Sequence, residues 1–237
     1  RSTPKPSSAA SDVYKRQAYH HVIQKIHNFC VHELGGVYLD IIKDRMYVTK
    51  SNSNARRSAQ FALFEVADIL IRLISPVLVF TAEEIWQSHE LFKKQSVSIF
   101  TAPQKTLSEI ESSISDDDWK KIFAVKDAVN QSIEKARADS VIKGSLDSKI
   151  IISCDKKTYN ALEKIEDELK FVFISSEVEI AESSSSKFDI EVTNFDQKKC
   201  IRCWNKCSSV GLYAEDPEIC SRCYTNVYGD GEIRKFV

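Results

Sequence analysis

With 237 residues, 43% of them apolar, and a formal net charge of −1, the chain has room for one large domain or two to three small ones. Its overall charge demands neither nucleic acid nor a membrane, and its longest apolar run, 73–80, contains Ser75 and Pro76 and is far too short to span a bilayer. Five of the seven cysteines fall in the last forty residues and no apolar signal segment opens the chain, so thiolates on a metal in a reducing cytoplasm are expected rather than disulfides.

Residues 1–17, built from Ser, Pro, Ala, Lys and Arg with almost no apolar period, are expected to be a disordered tail foreign to the fold. From Ala18, Val22, Ile26, Phe29, Cys30 and Leu34 recur at three- and four-residue intervals and predict one buried helical stripe. Gly35-Gly36 should weaken or bend that helix before Val37, Tyr38, Ile41 and Ile42 carry the period onward. The polar run 50–54 is a loop. A second long helix starts at Ala55, with Ala59, Leu63, Val66, Ala67, Leu70, Ile71 and Ile74 on its apolar face, and Pro76 interrupts it. Thr81-Ala-Glu-Glu84 has the form of a capping box and predicts a helix start there, carrying Ile85 and Trp86.

The acidic stretch from Phe100 to Asp118 has a linker's composition. Trp119, Ile122, Phe123, either Ala128 or Val129, Ile133 and Ala136 then mark another amphipathic helix. Past Gly144 the period shortens: strands are predicted at 149–153 and 171–174, a helix through Tyr159, Leu162, Ile165 and Leu169, and an alternating strand through Phe188, Ile190 and Val192. The expected fold is mainly α. A helical bundle occupies 18–118, a helix with a small α/β connector 119–195, and a zinc-ribbon-like four-cysteine module 196–237.

No Gly-rich phosphate loop and no Gly-x-Ser-x-Gly elbow occur, so no catalytic residue is assigned. His20, His21, His27 and His32 have no carboxylate or cysteine partners at ligand spacing and fit surface or helix-packing positions. The positive signal is Cys200-Ile-Arg-Cys203 and Cys220-Ser-Arg-Cys223, two Cys-x-x-Cys knuckles with sixteen residues between them. Four soft donors make a closed, structural site for one Zn2+ per chain, without the open position that Lewis-acid catalysis needs. Cys207 is a fifth thiol that could compete as a ligand, and a thiol-switch role for the two pairs is a rival. Lys198, Lys199, Arg202, Lys206 and Arg222 flank the ligands; they either balance the thiolates or also face a polyanion. Trp204 favours the second, because a Trp next to a ligand cysteine in so small a module can offer a flat face to an unstacked base. Lys43, Arg45, Lys50, Arg56 and Arg57 form a second basic set around the first helical loop, either a solvated helix end or a phosphate contact.

The segment 29–47 (FCVHELGGVYLDIIKDRMY), Arg56-Arg-Ser-Ala-Gln60 and 76–86 (PVLVFTAEEIW) resemble the anticodon-binding domain of class I isoleucyl-tRNA synthetases. The stretch from Lys199-Cys-Ile-Arg-Cys-Trp204 through Ile219-Cys-Ser-Arg-Cys223 to Gly229-Asp-Gly-Glu-Ile-Arg-Lys-Phe236 resembles the zinc module that ends the bacterial-type enzymes. The resemblance covers residues 18–237. It implies Cys200, Cys203, Cys220 and Cys223 as metal ligands, and Arg202 and Trp204 as anticodon-side contacts; charge alone adds Lys206, Arg222, Arg56 and Arg57. It implies an isoleucine-acceptor tRNA as partner, no DNA, no membrane, and a monomer in the cytoplasm. The family's His-Ile-Gly-His-like and Lys-Met-Ser-Lys-Ser-like signatures are absent, so ATP use belongs to a missing catalytic domain and this stretch alone is expected to be inactive. Two alternatives stay open: a stand-alone zinc-ribbon nucleic-acid binder, and part of a valyl- or leucyl-tRNA synthetase.

Overall fold

The computed structural model describes residues 19–103, 105, 112–185 and 188–236; the expected tail at 1–17 lies outside them. In chain order the elements are α1 (Tyr19–Asn28), a π-helical stretch (Phe29–Tyr38), α2 (Leu39–Tyr47), α3 (Asn54–Ile74), α4 (Val79–Ser88) and the single turn α5 (Glu90–Lys93). They continue with α6 (Asp116–Ala138), β1 (Ser148–Cys154), α7 (Lys156–Glu163), α8 (Leu169–Val172), β2 (Glu177–Glu182), β3 (Asp189–Asn194) and α9 (Ser221–Tyr228). They fall in two compact units, one within Arg1–Leu39 and Arg57–Ile110, the other within Asp40–Arg56 and Glu111–Val237.

In the first unit Gly35-Gly36 does not break the helix; the chain underwinds instead. The Leu39 N–H donates to the Leu34 carbonyl, five residues back. A Cβ on Gly35 would lie 2.9 Å from the Cys30 carbonyl oxygen, so the widened turn closes on a residue with no side chain. Of the predicted stripe only Val22 is fully buried, while Ile26, Phe29, Cys30 and Leu34 are half-buried. The unit's core is Ile71, Ala82, Trp86, Phe92 and Ile99. Trp86 donates its indole N–H to the Ser96 carbonyl at 2.9 Å, and the Phe92 ring stacks on it at 5.2 Å. Asp68, which the periodicity passes over, is buried on α3 and accepts from Arg72 (2.8 Å), Lys105 (2.9 Å) and Gln95 (3.3 Å). Burial alone would raise its pKa; the bonds from Lys105, Arg72 and Gln95 outweigh that and hold the carboxyl below its ordinary range.

Thr81 does not start α4. The helix begins two residues earlier at Val79, with no side-chain cap, and the neighbouring Glu83 accepts from Ser98 Oγ (2.8 Å) and the Ile99 N–H (3.1 Å) in the loop beyond the helix.

The second unit is built on α6. Asp116, Asp117 and Asp118 are its first turn rather than linker, placed where the helix dipole favours negative charge. Ser115 and Asp118 form a reciprocal capping box, and Asp118 also accepts from Lys164 at 2.7 Å, which with the Ser115 bonds holds its carboxyl well below the usual range. Ile122, Val125, Val129 and Ile133 on α6 pack with Ile150 and Ile152 on β1 and with Ala161 and Leu162 on α7. The sheet has the order β2-β1-β3, with β1 parallel to β2 and antiparallel to β3. Burial alternates along β1, as a strand with one face on a core requires.

The predicted strand at 171–174 is instead the end of α8 and the turn after it, and the strand that pairs in parallel with β1 is β2. A short apolar run such as Phe171-Val-Phe-Ile174 does not distinguish strand from buried helix by period. Val172 and Phe173 are both buried, as successive positions of a helical turn can be, and Lys126 donates to the Val172 carbonyl at 2.6 Å. No helix among the described residues is long and apolar enough to cross a membrane.

Candidate metal centre

Two local structures bring the cysteines together. The first knuckle is a tight turn in which the Trp204 N–H donates to the Cys200 carbonyl at 2.9 Å and the Cys200 N–H donates to the Asn205 carbonyl at 2.9 Å. The second sits at the start of α9, where Cys220 is the residue before the helix and Cys223 lies in its first turn. The Cys220 N–H donates to Cys200 Sγ at 3.3 Å and so ties the knuckles to each other.

The Sγ atoms of Cys200, Cys203, Cys220 and Cys223 all lie within 4.8 Å of one another, and all four residues are buried. Cys203 and Cys220 are 3.7 Å apart. A tetrahedral zinc with sulfurs at about 2.3 Å requires sulfur–sulfur edges of about 3.8 Å, so the donor set fits the ion in chemistry and in size. The thiols also show why a cation belongs among them. Hydrogen bonds from Cys220 and then Cys223 pull the Cys203 thiol far below the thiol range, while the bond to Cys203 pushes Cys220 up and Cys223 up to about 12. Sulfurs this crowded cannot all ionise unless a positive ion sits between them. Cys207 stays outside the cluster, its Sγ 3.5 Å from Ser209 Oγ.

The centre has little apolar core of its own. Val48, Val210 and Ile219 are the apolar residues buried with the four cysteines. Ion pairs do much of the remaining packing. Asp44 on α2 accepts both bonds of a fork from Arg222 (2.8 and 2.9 Å) and another from Arg234 at 2.6 Å. Arg234, with a side chain only 4% exposed, also meets Glu168 at 2.9 Å and Glu232 at 3.1 Å. Asn226 Oδ1 on α9 accepts from the Lys50 and Glu232 N–H groups, both at 3.1 Å. Gly231, at φ +94°, turns the tail back here, and a Cβ on it would lie 3.1 Å from Lys50 Cβ. Sequence reasoning missed this network, because Asp44, Glu168, Glu232 and Arg234 follow no local pattern and meet only through the tertiary fold.

The flanking cations divide by role. Arg222 faces inward onto Asp44. Arg202 donates to the Val48 carbonyl at 2.7 Å and reaches Cys223 Sγ at 3.7 Å, so it fastens the first knuckle to the end of α2. Lys206 donates through Nζ to Asn194 at 2.9 Å and is half-buried. In the second basic set Lys43 pairs with Asp40, Arg45 with Glu168, and Lys50 with the Gly229 carbonyl. Arg56 is half-buried and Arg57 exposed, both in the first turn of α3. Trp204 is 62% exposed and has φ +66°, a backbone conformation that glycine adopts freely and other residues adopt at a cost of about 1–2 kcal/mol.

Residues 7–152 match the family model described as the anticodon-binding domain of tRNA ligase, and residues 197–226, which hold all four cysteines, match that of a zinc finger found in FPG and IleRS. The chain belongs to the anticodon-binding family of tRNA ligases. The zinc-finger match and the buried four-sulfur cluster together define a structural zinc site. Among similar proteins is the isoleucine–tRNA ligase of Alcanivorax borkumensis, 41% identical over 236 residues, covering 95% of this chain and 25% of that protein. The isoleucine–tRNA ligases of Shewanella pealeana and Saccharophagus degradans are each 39% identical, over 95% and 94% of this chain. The chain thus spans about a quarter of the length of these curated relatives.

Proposed function

We propose that the chain is the tRNA-holding part of an isoleucine–tRNA ligase, which in its complete form charges an isoleucine-acceptor tRNA at the expense of ATP. The observation that carries this is the likeness along 94–95% of the chain to proteins of that name, through both the helices and the zinc module. Within it, 18–118 acts as the helical anticodon-binding domain, 119–195 as a connector and 196–237 as the zinc module. Cys200, Cys203, Cys220 and Cys223 hold the ion, which on binding locks the two knuckles together. Trp204 stacks on an unpaired base, Lys206 meets backbone phosphate, and Arg56 and Arg57 make further phosphate contacts. Arg202 and Arg222 hold the knuckles that present Trp204. The chain contributes orientation and specificity rather than bond chemistry, and it works as a monomer in the cytoplasm, without DNA.

The test is competition binding of the full chain to isoleucine- and valine-acceptor tRNAs at rising salt. The isoleucine acceptor is expected to bind more tightly, with a preference that persists as the salt-dependent background falls. Equal affinity at every salt concentration overturns the proposal.

A further inference from the structure

Beside the zinc centre, and within the same unit, α2, the turn after α8 and the first knuckle enclose a groove of about 400 Å³. That volume lies in the range of small-ligand sites. Among its walls are Tyr47, Phe171, Ile174 and Trp204. Tyr47 is 79% exposed and Trp204 62%, so two large aromatic side chains from separate elements border one cavity without burying each other. Backbone strain collects at the same place. The described non-glycine residues with left-handed φ are Ser140, Ile174 and Trp204, and two of these three line the groove. Ile174 is β-branched at φ +55°, a poor choice for the conformation unless its position matters more than its strain.

The charges sort the possible occupants. Asp40 and Asp44 line the groove, but Asp40 is paired with Lys43 at 2.7 Å and Asp44 is shared between Arg222 and Arg234. Phe171 lies under two guanidiniums, with Arg234 3.7 Å and Arg222 5.2 Å from its ring centre, and the Lys170 ammonium is 5.2 Å from the same centre. Arg222 and Arg234 are already answered by Asp44, Glu168 and Glu232, which leaves the Lys170 ammonium on the groove wall for a ligand's charge; aromatic walls beside that cation suit a flat, electron-rich ring that carries a phosphate. Asn205 also lines the groove and brings the paired donor and acceptor that can read a base edge.

We infer that this groove takes one unstacked nucleobase of a bound RNA, held between Tyr47 and Trp204 with its phosphate toward Lys170. The inference rests on the RNA-binding function proposed above and adds the pocket that a loop base enters.

It is tested with the full chain and an RNA hairpin bearing the loop of an isoleucine-acceptor anticodon, with 2-aminopurine replacing each loop base in turn. A blunt duplex of the same stem is the control. Tyr47→Ala keeps the backbone carbonyl that faces Arg202 and should leave zinc content and melting unchanged. It is expected to weaken the hairpin about tenfold, as loss of one stacking face implies, and to abolish a fluorescence change confined to one loop position. Tyr47→Phe should retain both, and neither variant should alter duplex binding. If Tyr47→Ala binds the hairpin like wild type while Trp204→Ala does not, the base stacks outside the groove; the inference fails and the RNA-binding function stands. If the unaltered chain prefers no hairpin over duplex, the underlying function fails as well. Should Tyr47→Ala lose zinc, Lys170→Glu on the rim decides: weaker hairpin binding supports the groove and unchanged binding overturns it.

Discussion

The sheet and the zinc module are parts of one unit held together by different physics. Among the described residues the sheet rests on sixteen buried apolar ones drawn from α6, β1, α7 and their neighbours. The hydrophobic cluster at the zinc centre has, again among the described residues, seven members, of which four are the cysteines themselves and one, Val48, comes from just past the end of α2. Where apolar area is plentiful, stability is spread over many side chains, and no single one decides the fold. Where it is scarce, a few strong and specific interactions must replace it: an ion among four thiols, and guanidinium–carboxylate forks around Asp44. That economy leaves the module's surface free, so a Trp and a Tyr can remain in solvent beside a rigid centre.

The contrast breaks most sharply at the metal. Cys220→Ser is expected to lose the single zinc and unravel the knuckles, because structural zinc contributes on the order of 10 kcal/mol to folding such modules. The sheet should survive, since none of its core residues is a ligand. Cys207→Ser should keep the ion. Metal analysis with circular dichroism checks all three outcomes, and full zinc content in Cys220→Ser would contradict the ligand set. The matching cut in the sheet, Ile152→Ala, should cost about 2–5 kcal/mol in denaturant unfolding and leave the zinc in place.

A smaller effect tests the ion pairs. Asp44→Asn leaves Arg222 and Arg234 without their shared carboxylate in a site where the Arg234 side chain is 4% exposed. Breaking such buried pairs typically costs about 3–5 kcal/mol, and the remaining partners Glu168 and Glu232 should hold the loss to the lower end of that range. Denaturant melts at low and high salt measure it. A change below about 0.5 kcal/mol would show that the metal alone positions the module.

How much could be read in advance follows the same division. The knuckles were legible because ligand spacing is local: two residues between the cysteines of a pair is a property of the chain, not of its fold. The long α3 and α6 were legible because a periodic apolar face survives whatever it packs on. The acidic run at 116–118 was misassigned to a linker because composition suggests one while the dipole and the Ser115 cap make it a helix start. Phe171-Val-Phe-Ile174 was misread because its helical turn is held by Lys126 and by distant packing, not by a period. The Asp44 network and the groove beside Trp204 join residues more than a hundred positions apart, which no window of sequence can show.

The central claim is that the zinc centre exists to present an aromatic face to RNA. Trp204→Ala tests it most directly, with zinc content and hairpin affinity measured on the same sample. The account predicts one zinc per chain, unchanged melting, and affinity reduced about fivefold to a hundredfold by loss of base stacking. A full complement of zinc with wild-type affinity would make Trp204 a bystander and contradict the account.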